Sequence, residues 1–277
     1  MRRIERAFRD LRATHDGALI TYVTGGDPEP KWTPRIVSEL IHGGADIVEL
    51  GIPFSDPIAD GPTIQAATTR ALKSGTTPRA VLEMARQIRR EFSTPLVILS
   101  YYNTIFRMGL ENFFAKAKDC GIDGIVVPDL PIEEADGYKE VAETHNIDTI
   151  FLAAPSTSID RLQKIVAYTS GFLYLVSLYG TTGTRTDLEV STVHLIKKFL
   201  PYTEERINLA VGFGISKPGH VRAVLESGAN GVIVGSAFVE MIEQNLDHRE
   251  KMLRELQQLT RELKEATLNR KLSDLGS

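Results

Sequence analysis

The sequence predicts a single (β/α)8 TIM barrel with one extra N-terminal helix, spanning residues 1–277. Two observations point to it. Eight short β-branched runs occur, each separated from the next by an amphipathic segment, with no linker or low-complexity break between them. None of the runs alternates cleanly with polar residues, so the strands are buried on both faces, as in a parallel sheet. An open doubly wound sheet would show fewer strands and a glycine-rich fingerprint after the first. Thr24-Gly25-Gly26-Asp27-Pro28 does not match that fingerprint.

In chain order, Ile4, Phe8 and Leu11 recur at helical spacing and predict a short amphipathic helix packed on the domain. Glu5, Asp10 and Asp16 interrupt the arginines around them, so a cleavable targeting segment is not expected. The strands are expected at Leu19–Val23, Ile47–Leu50, Leu96–Leu99, Gly124–Val127, Thr149–Leu152, Phe172–Val176, Asn208–Val211 and Gly231–Val234. Val81, Leu82, Met84, Ala85 and Ile88 mark one intervening helix, and Phe113, Phe114 and Ala117 another. Gly44, Gly121 and Gly228 stand just before strands, where a helix C-terminus favours glycine. Met252, Leu256, Leu259 and Leu263 form the apolar stripe of a last helix.

Composition narrows the function. The chain is 42% hydrophobic and 25% charged, ordinary for a globular protein with a sizeable core. A net charge of −4 argues against a nucleic-acid or anionic-membrane surface. No apolar run approaches the ~18 residues of a membrane span. The single cysteine, Cys120, excludes an internal disulfide and fits a reducing cytoplasm.

Barrel enzymes work at the C-terminal ends of their strands. There the second run brings Glu49 and, a loop later, Asp60; the third brings Tyr101, Tyr102 and Asn103; the fourth ends in Pro128-Asp129. Gly212-Phe213-Gly214 and Gly235-Ser236 follow the seventh and eighth runs, where phosphate-binding barrels present backbone N–H groups. Either motif alone reads as an ordinary turn; together, at these two strand ends, they favour phosphate. No histidine or lysine ends a strand, which argues against a zinc site, a histidine base or a Schiff-base lysine. Carboxylates, tyrosines and apolar groups remain, a set suited to metal-free acid–base work on a phosphorylated substrate with an apolar portion. Glu49 reads either as a salt-bridged core acid or as a catalytic group, and no basic residue flanks it locally. Asp60, before Gly61-Pro62, reads equally as a helix cap or turn former.

With these residues assembled, the chain resembles the tryptophan synthase alpha subunit family along essentially its whole length. The most specific stretch is ELGIPFSDPIADGPTIQ, Glu49 to Gln65, supported by VTGGDP, PDLPIEE, YGTTGTR, VGFGIS and VGSA. The resemblance implies a lyase of L-tryptophan biosynthesis that cleaves indole-3-glycerol phosphate by retro-aldol chemistry, without metal or cofactor. It implies Glu49 as general acid/base and Asp60 as the partner of the indole N–H. Tyr22, Ile64, Leu99, Tyr101, Val126, Leu152 and Tyr174 would form the indole pocket. Gly183, Gly212, Phe213, Gly214, Gly235 and Ser236 would hold the phosphate, with Thr182 as the lid residue. Pro53, Phe54, Asp56, Pro57, Asn103 and Pro131 would face a pyridoxal-phosphate beta subunit in an α2β2 complex that receives the indole. From its residues alone, the Pro53–Ile58 loop reads equally as a docking surface or as a rigid turn. Tyr22 stands where the family more often has Phe, and Pro128 where a small residue is common. Ser177-Leu178-Tyr179 also differs from many members. The alternatives are a stand-alone indole-releasing lyase, a regulatory subunit that mainly activates its partner, and another phosphate-binding barrel isomerase.

Overall fold

The computed structural model describes residues 1–176, 185–212 and 214–269, with the backbone alone for 185–190. Its strands are β1 (Ala18–Thr24), β2 (Ile47–Gly51), β3 (Leu96–Leu99), β4 (Gly124–Val126), β5 (Asp148–Ile150), β6 (Leu152–Ala153), β7 (Phe172–Val176), β8 (Asn208–Gly212) and β9 (Gly231–Val234). Neighbouring strands pair in parallel in the order β5-β4-β3-β2-β1-β9-β8-β7-β6. β5 and β6 are two halves of the fifth barrel strand, so the two ends of that order meet and the eight-stranded barrel closes. The sequence predicts one continuous strand there. Instead the ladder passes from β4 to β7 across Phe151, whose carbonyl accepts from the Tyr174 N–H at 3.0 Å.

The helices are α1 (Arg3–Ala13), α2 (Thr33–His42), α3 (Pro62–Lys73), α4 (Pro78–Glu91), α5 (Tyr102–Met108), α6 (Leu110–Asp119), α7 (Asp136–Thr144), α8 (Ile159–Tyr168), α9 (Arg185–Thr203), α10 (Pro218–Glu226), α11 (Ser236–Gln244) and α12 (Arg249–Glu265). α5 and α6 split at Gly109, whose φ of 80° suits glycine and ends a helix. Gly44, Gly121 and Gly228 all take positive φ just past helix ends, as expected. Among the described residues no helix is long and apolar enough to cross a membrane.

Strand alternation divides the core into two shells. Leu19, Val48, Ile98, Ile125, Leu173, Val211 and Val232 pack outward against the helices. Ile20, Ile47, Val97, Val126, Ile150, Phe172, Ala210 and Ile233 fill the barrel interior. α1 closes the floor of that interior. Ile4 and Phe8 are buried in it, with Phe8 6.0 Å from the Phe172 ring. Arg2 and Arg3 reach Asp148 and Asp123 at 2.6 and 2.9 Å.

Near the mouth, Arg70 of α3 clamps the β1 loop. It holds the fully buried Asp27 through Nε–Oδ1 and Nη2–Oδ2 contacts of 2.7 and 2.9 Å, and meets Glu243 of α11 at 2.8 Å. Burial pushes the Asp27 carboxyl above its ordinary range, and Arg70 pulls it partly back. Arg70→Leu strands that carboxylate and is expected to cost about 3–5 kcal/mol. A folded-state pKa above the unfolded one gives stability at low pH that is lost as pH rises through it. The melting-temperature deficit of Arg70→Leu against wild type should therefore be larger at alkaline than at mildly acidic pH. A pH-independent deficit would remove this account.

Candidate active site

At the C-terminal end of the barrel a cavity of about 210 Å³ opens between strand ends and loops. Glu49 enters it from β2. Register places Glu49 beside Tyr22 of β1 and Val97 of β3, and its inward parity puts the carboxyl inside the barrel. Glu49 is fully buried, and among the described residues neither carboxylate oxygen has a hydrogen-bond partner. The salt-bridged alternative is thus not what the structure contains. Burial, with a smaller push from the Asp60 charge, raises the Glu49 pKa to about 8.

Asp60 enters from the loop between β2 and α3. The loop turns on itself, with Ile58 N–H donating to Asp56 O and Asp60 N–H to Pro57 O. α3 begins with Gly61 as its N-cap and no side-chain cap, so the Asp60 carboxyl is not used as a helix cap. It lines the cavity with Glu49. Burial raises its pKa to about 6, against the lowering effect of a hydrogen bond with Tyr101. The two carboxyls therefore differ in charge near neutrality, Glu49 protonated and Asp60 ionised, a separation that suits distinct roles.

Of the residues expected at the indole pocket, Tyr22, Ile64, Leu99, Leu152 and Tyr174 line the cavity. Val126 lies in the barrel interior, and Tyr101 sits behind the Asp60 loop; neither is a cavity wall. Gly214, Gly235 and Ser236 line the cavity, and Ser236 opens α11, whose first N–H groups have no partner within the helix. Gly212 does not line it. A Cβ there would lie 2.6 Å from Tyr174 Oη, so this glycine makes room for the ring. Thr182, Gly183 and Phe213, and the departure at 177–179, lie outside the described residues. Sequence reasoning missed Val176 and Ile233 as walls. Both stand two positions from predicted mouth residues, Tyr174 and Gly235, and strand parity could have found them. A larger groove of about 1140 Å³, among Phe8, Arg12, Asn208, Arg222 and Glu262, lies at the opposite face and meets no strand C-terminus.

Tyr22 is held the same way on the other side. Its hydroxyl lies 3.3 Å from Thr24 Oγ1, and a Cβ on Gly51 would lie 2.2 Å from Tyr22 Oη. Gly51→Ala is expected to push the ring into the cavity and raise KM about tenfold, within the range of core overpacking, about 1–3 kcal/mol. An unchanged KM would show the ring has room elsewhere.

Around the mouth, Ile58 is 82% exposed and Phe106 69%. Asp56 and Asn103 are exposed, Phe54, Pro57 and Pro131 half-buried, and Pro53 buried. Asp129 accepts from the Tyr102 N–H at 2.8 Å, tying the start of α5 to the next loop.

Fold and cavity together define a class: a (β/α)8-barrel enzyme that works at the mouth of its barrel. Residues 8–268 match the family model for the tryptophan synthase alpha chain. The tryptophan synthase alpha chain of Solibacter usitatus is 48% identical over 95% of this chain and 97% of its own length. That of Cronobacter sakazakii is 42% identical over 97% and 99%. The solved alpha subunit of Legionella pneumophila superposes with a TM-score of 0.87 at 36% identity, covering 96% of this chain and 98% of that one. A structure of the tryptophan synthase α2β2 complex of Pyrococcus furiosus gives 0.84 at 46%, covering 90% and 98%. The chain belongs to the tryptophan synthase alpha chain family.

Proposed function

We propose that this barrel cleaves indole-3-glycerol phosphate to indole and glyceraldehyde 3-phosphate, with Glu49 as proton donor and acceptor and Asp60 as charge stabiliser. The observation that carries the assignment is the fully buried Glu49, whose oxygens have no hydrogen-bond partner among the described residues, sharing one cavity with Asp60. Protonated Glu49 delivers its proton to C3 of the indole, which leaves positive charge on the ring. Asp60 accepts a hydrogen bond from the ring N–H and stabilises that charge. The Glu49 carboxylate then takes the proton of the adjacent side-chain hydroxyl, the carbon–carbon bond breaks to give the aldehyde, and the bonding electrons return to the indole. Glu49 ends protonated, as it began. The start of α11 with Gly214 and Gly235 suits the phosphate, and the apolar walls suit the indole.

These steps need only proton transfers and one carbon–carbon cleavage, so the reading assigns the chain no metal or cofactor; it also takes residues 1–277 as a single barrel domain and places the reaction in the cytoplasm. Among the described residues no group of three or more histidine, cysteine or acidic side chains is placed to hold a metal ion. The test is release of indole by the isolated chain from indole-3-glycerol phosphate. Cleavage should persist in excess chelator, and borohydride should trap no adduct. Loss of activity to chelator with recovery on adding metal would overturn the mechanism.

The mouth surface extends the reading to a partner. The Pyrococcus furiosus relative is described as an α2β2 complex. Exposed Ile58, with Phe54, Asp56, Pro57, Asn103 and Pro131 around the same opening, suits docking of a beta subunit carrying pyridoxal phosphate that receives the indole. Titration with such a subunit should raise the rate of indole formation, and Phe54→Ala and Asp56→Ala should weaken the effect. Without binding or stimulation, the chain is a stand-alone lyase.

A further inference from the structure

We propose that Tyr101 is a positioning residue for this reaction: it holds Asp60 at the cavity from behind, through the Ala59 peptide and through the Asp60 carboxylate itself. The proposal rests on the roles assigned above to Glu49 and Asp60.

Burial and two contacts support it. Tyr101 is 2% exposed and is not among the described residues that line the cavity. The Ala59 N–H, one residue before Asp60, donates to Tyr101 Oη at 2.9 Å. With its oxygen accepting there, the hydroxyl proton is left for the Asp60 carboxylate, whose nearby charge adds to the burial that raises the Tyr101 pKa. One hydroxyl thus fixes the main chain of the reacting loop and stands beside its carboxylate. The ring is fixed in turn, because Phe54 from the start of the same loop stacks on it at 5.2 Å and 28°. Tyr101 is the N-cap of α5, so the anchor stands on a rigid element next to β3. Without it, the loop keeps its own turn, the Ile52 N–H bond to Leu99 O at 2.8 Å at its start, and Gln65 on the Asp60 carbonyl at 2.8 Å. Among the described residues, no hydrogen bond from the segment after β3 then reaches the residues next to Asp60.

The titratable groups facing Asp60 are Glu49 of β2, Tyr22 of β1, Tyr174 of β7 and Tyr101. Burial holds the three tyrosines neutral through the working range, and of them Tyr101 is the donor to the carboxylate. A donor favours the ionised form, so its removal raises the pH at which Asp60 ionises.

Tyr101→Phe deletes one oxygen and keeps the stack. It is expected to lower kcat about 10- to 100-fold, the scale of a hydrogen bond to a charged group, with KM within about twofold. The acid limb of the pH–rate profile should move to higher pH. In an Asp60→Asn background the same change should cost far less, since the group it positions is already gone. An unmoved acid limb, an effect in KM alone, or an equal cost in both backgrounds overturns the proposal. If Tyr101→Phe does not fold, 3-fluorotyrosine at position 101 keeps both hydrogen bonds and is a stronger donor; it must move the limb to lower pH, and failure to do so overturns the proposal too. An inactive Asp60→Asn beside a wild-type-like Tyr101→Phe refutes the positioning role alone. A fully active Asp60→Asn refutes the assigned roles, and the positioning role with them.

Discussion

Glu49→Gln is expected to lower kcat for indole release by about 10²–10⁴-fold, the scale of removing a positioned acid/base. The amide keeps the shape of the side chain but neither gives up a proton to carbon nor takes one from the hydroxyl. Folding should survive, and one condition should favour the variant. Burial raises the Glu49 pKa to about 8, well above its unfolded value, so the stability it confers is present at low pH and lost as pH rises through 8. Glutamine never ionises. Above pH 8 the melting temperature of Glu49→Gln should therefore exceed that of wild type, while activity is lost at every pH. Near-wild-type turnover by this variant would remove the assignment of Glu49.

Asp60→Asn is the second large loss, about 10²–10³-fold in kcat, comparable with removing one preorganised electrostatic partner of a developing charge. The fold should tolerate it, because the Asp60 side chain caps no helix. In the wild type, kcat/KM should fall below pH about 6 as Asp60 protonates, and above about 8 as Glu49 ionises. The two groups interact, so these apparent values belong to the pair. A profile flat from pH 5 to 9 in the wild type, or a fully active Asp60→Asn, would contradict the division of roles.

The barrel was readable in the sequence because doubly buried strands are continuous apolar runs. Leu96–Leu99, Phe172–Val176 and Gly231–Val234 occur as predicted, and other ends differ by about a residue. The break at Phe151 was not readable, since it reflects a change of pairing partner rather than any local residue signal. Glu49 stood out because a carboxylate near the end of an apolar strand is costly without a use. The alternative readings of Asp60 needed coordinates: whether its side chain or Gly61 caps α3 depends on backbone angles a sequence does not carry. Tyr101 shows a related limit. Its position after a strand is visible, but whether its ring faces the cavity or the back of a neighbouring loop depends on how that loop folds.

The floor of the barrel carries a consequence for synthesis. Arg2 contacts Asp148, 146 positions later, and Phe8 packs on Phe172. Its Cβ-facing neighbour Gly231 comes later still. α1 thus finds only part of its seat, at Asp123 and Gly124, before Asp148 and Phe172 have followed, and that seat is complete only when β9 arrives. Until then α1 presents Ile4 and Phe8 to solvent, a short apolar stripe that a chaperone, or a neighbouring nascent chain, meets before the barrel does. Attachments to the N-terminus therefore act on the order of assembly as well as on the finished molecule. A bulky fusion there should slow the final closure of the barrel more than the same fusion placed after α12, even where the two folded products are equally active.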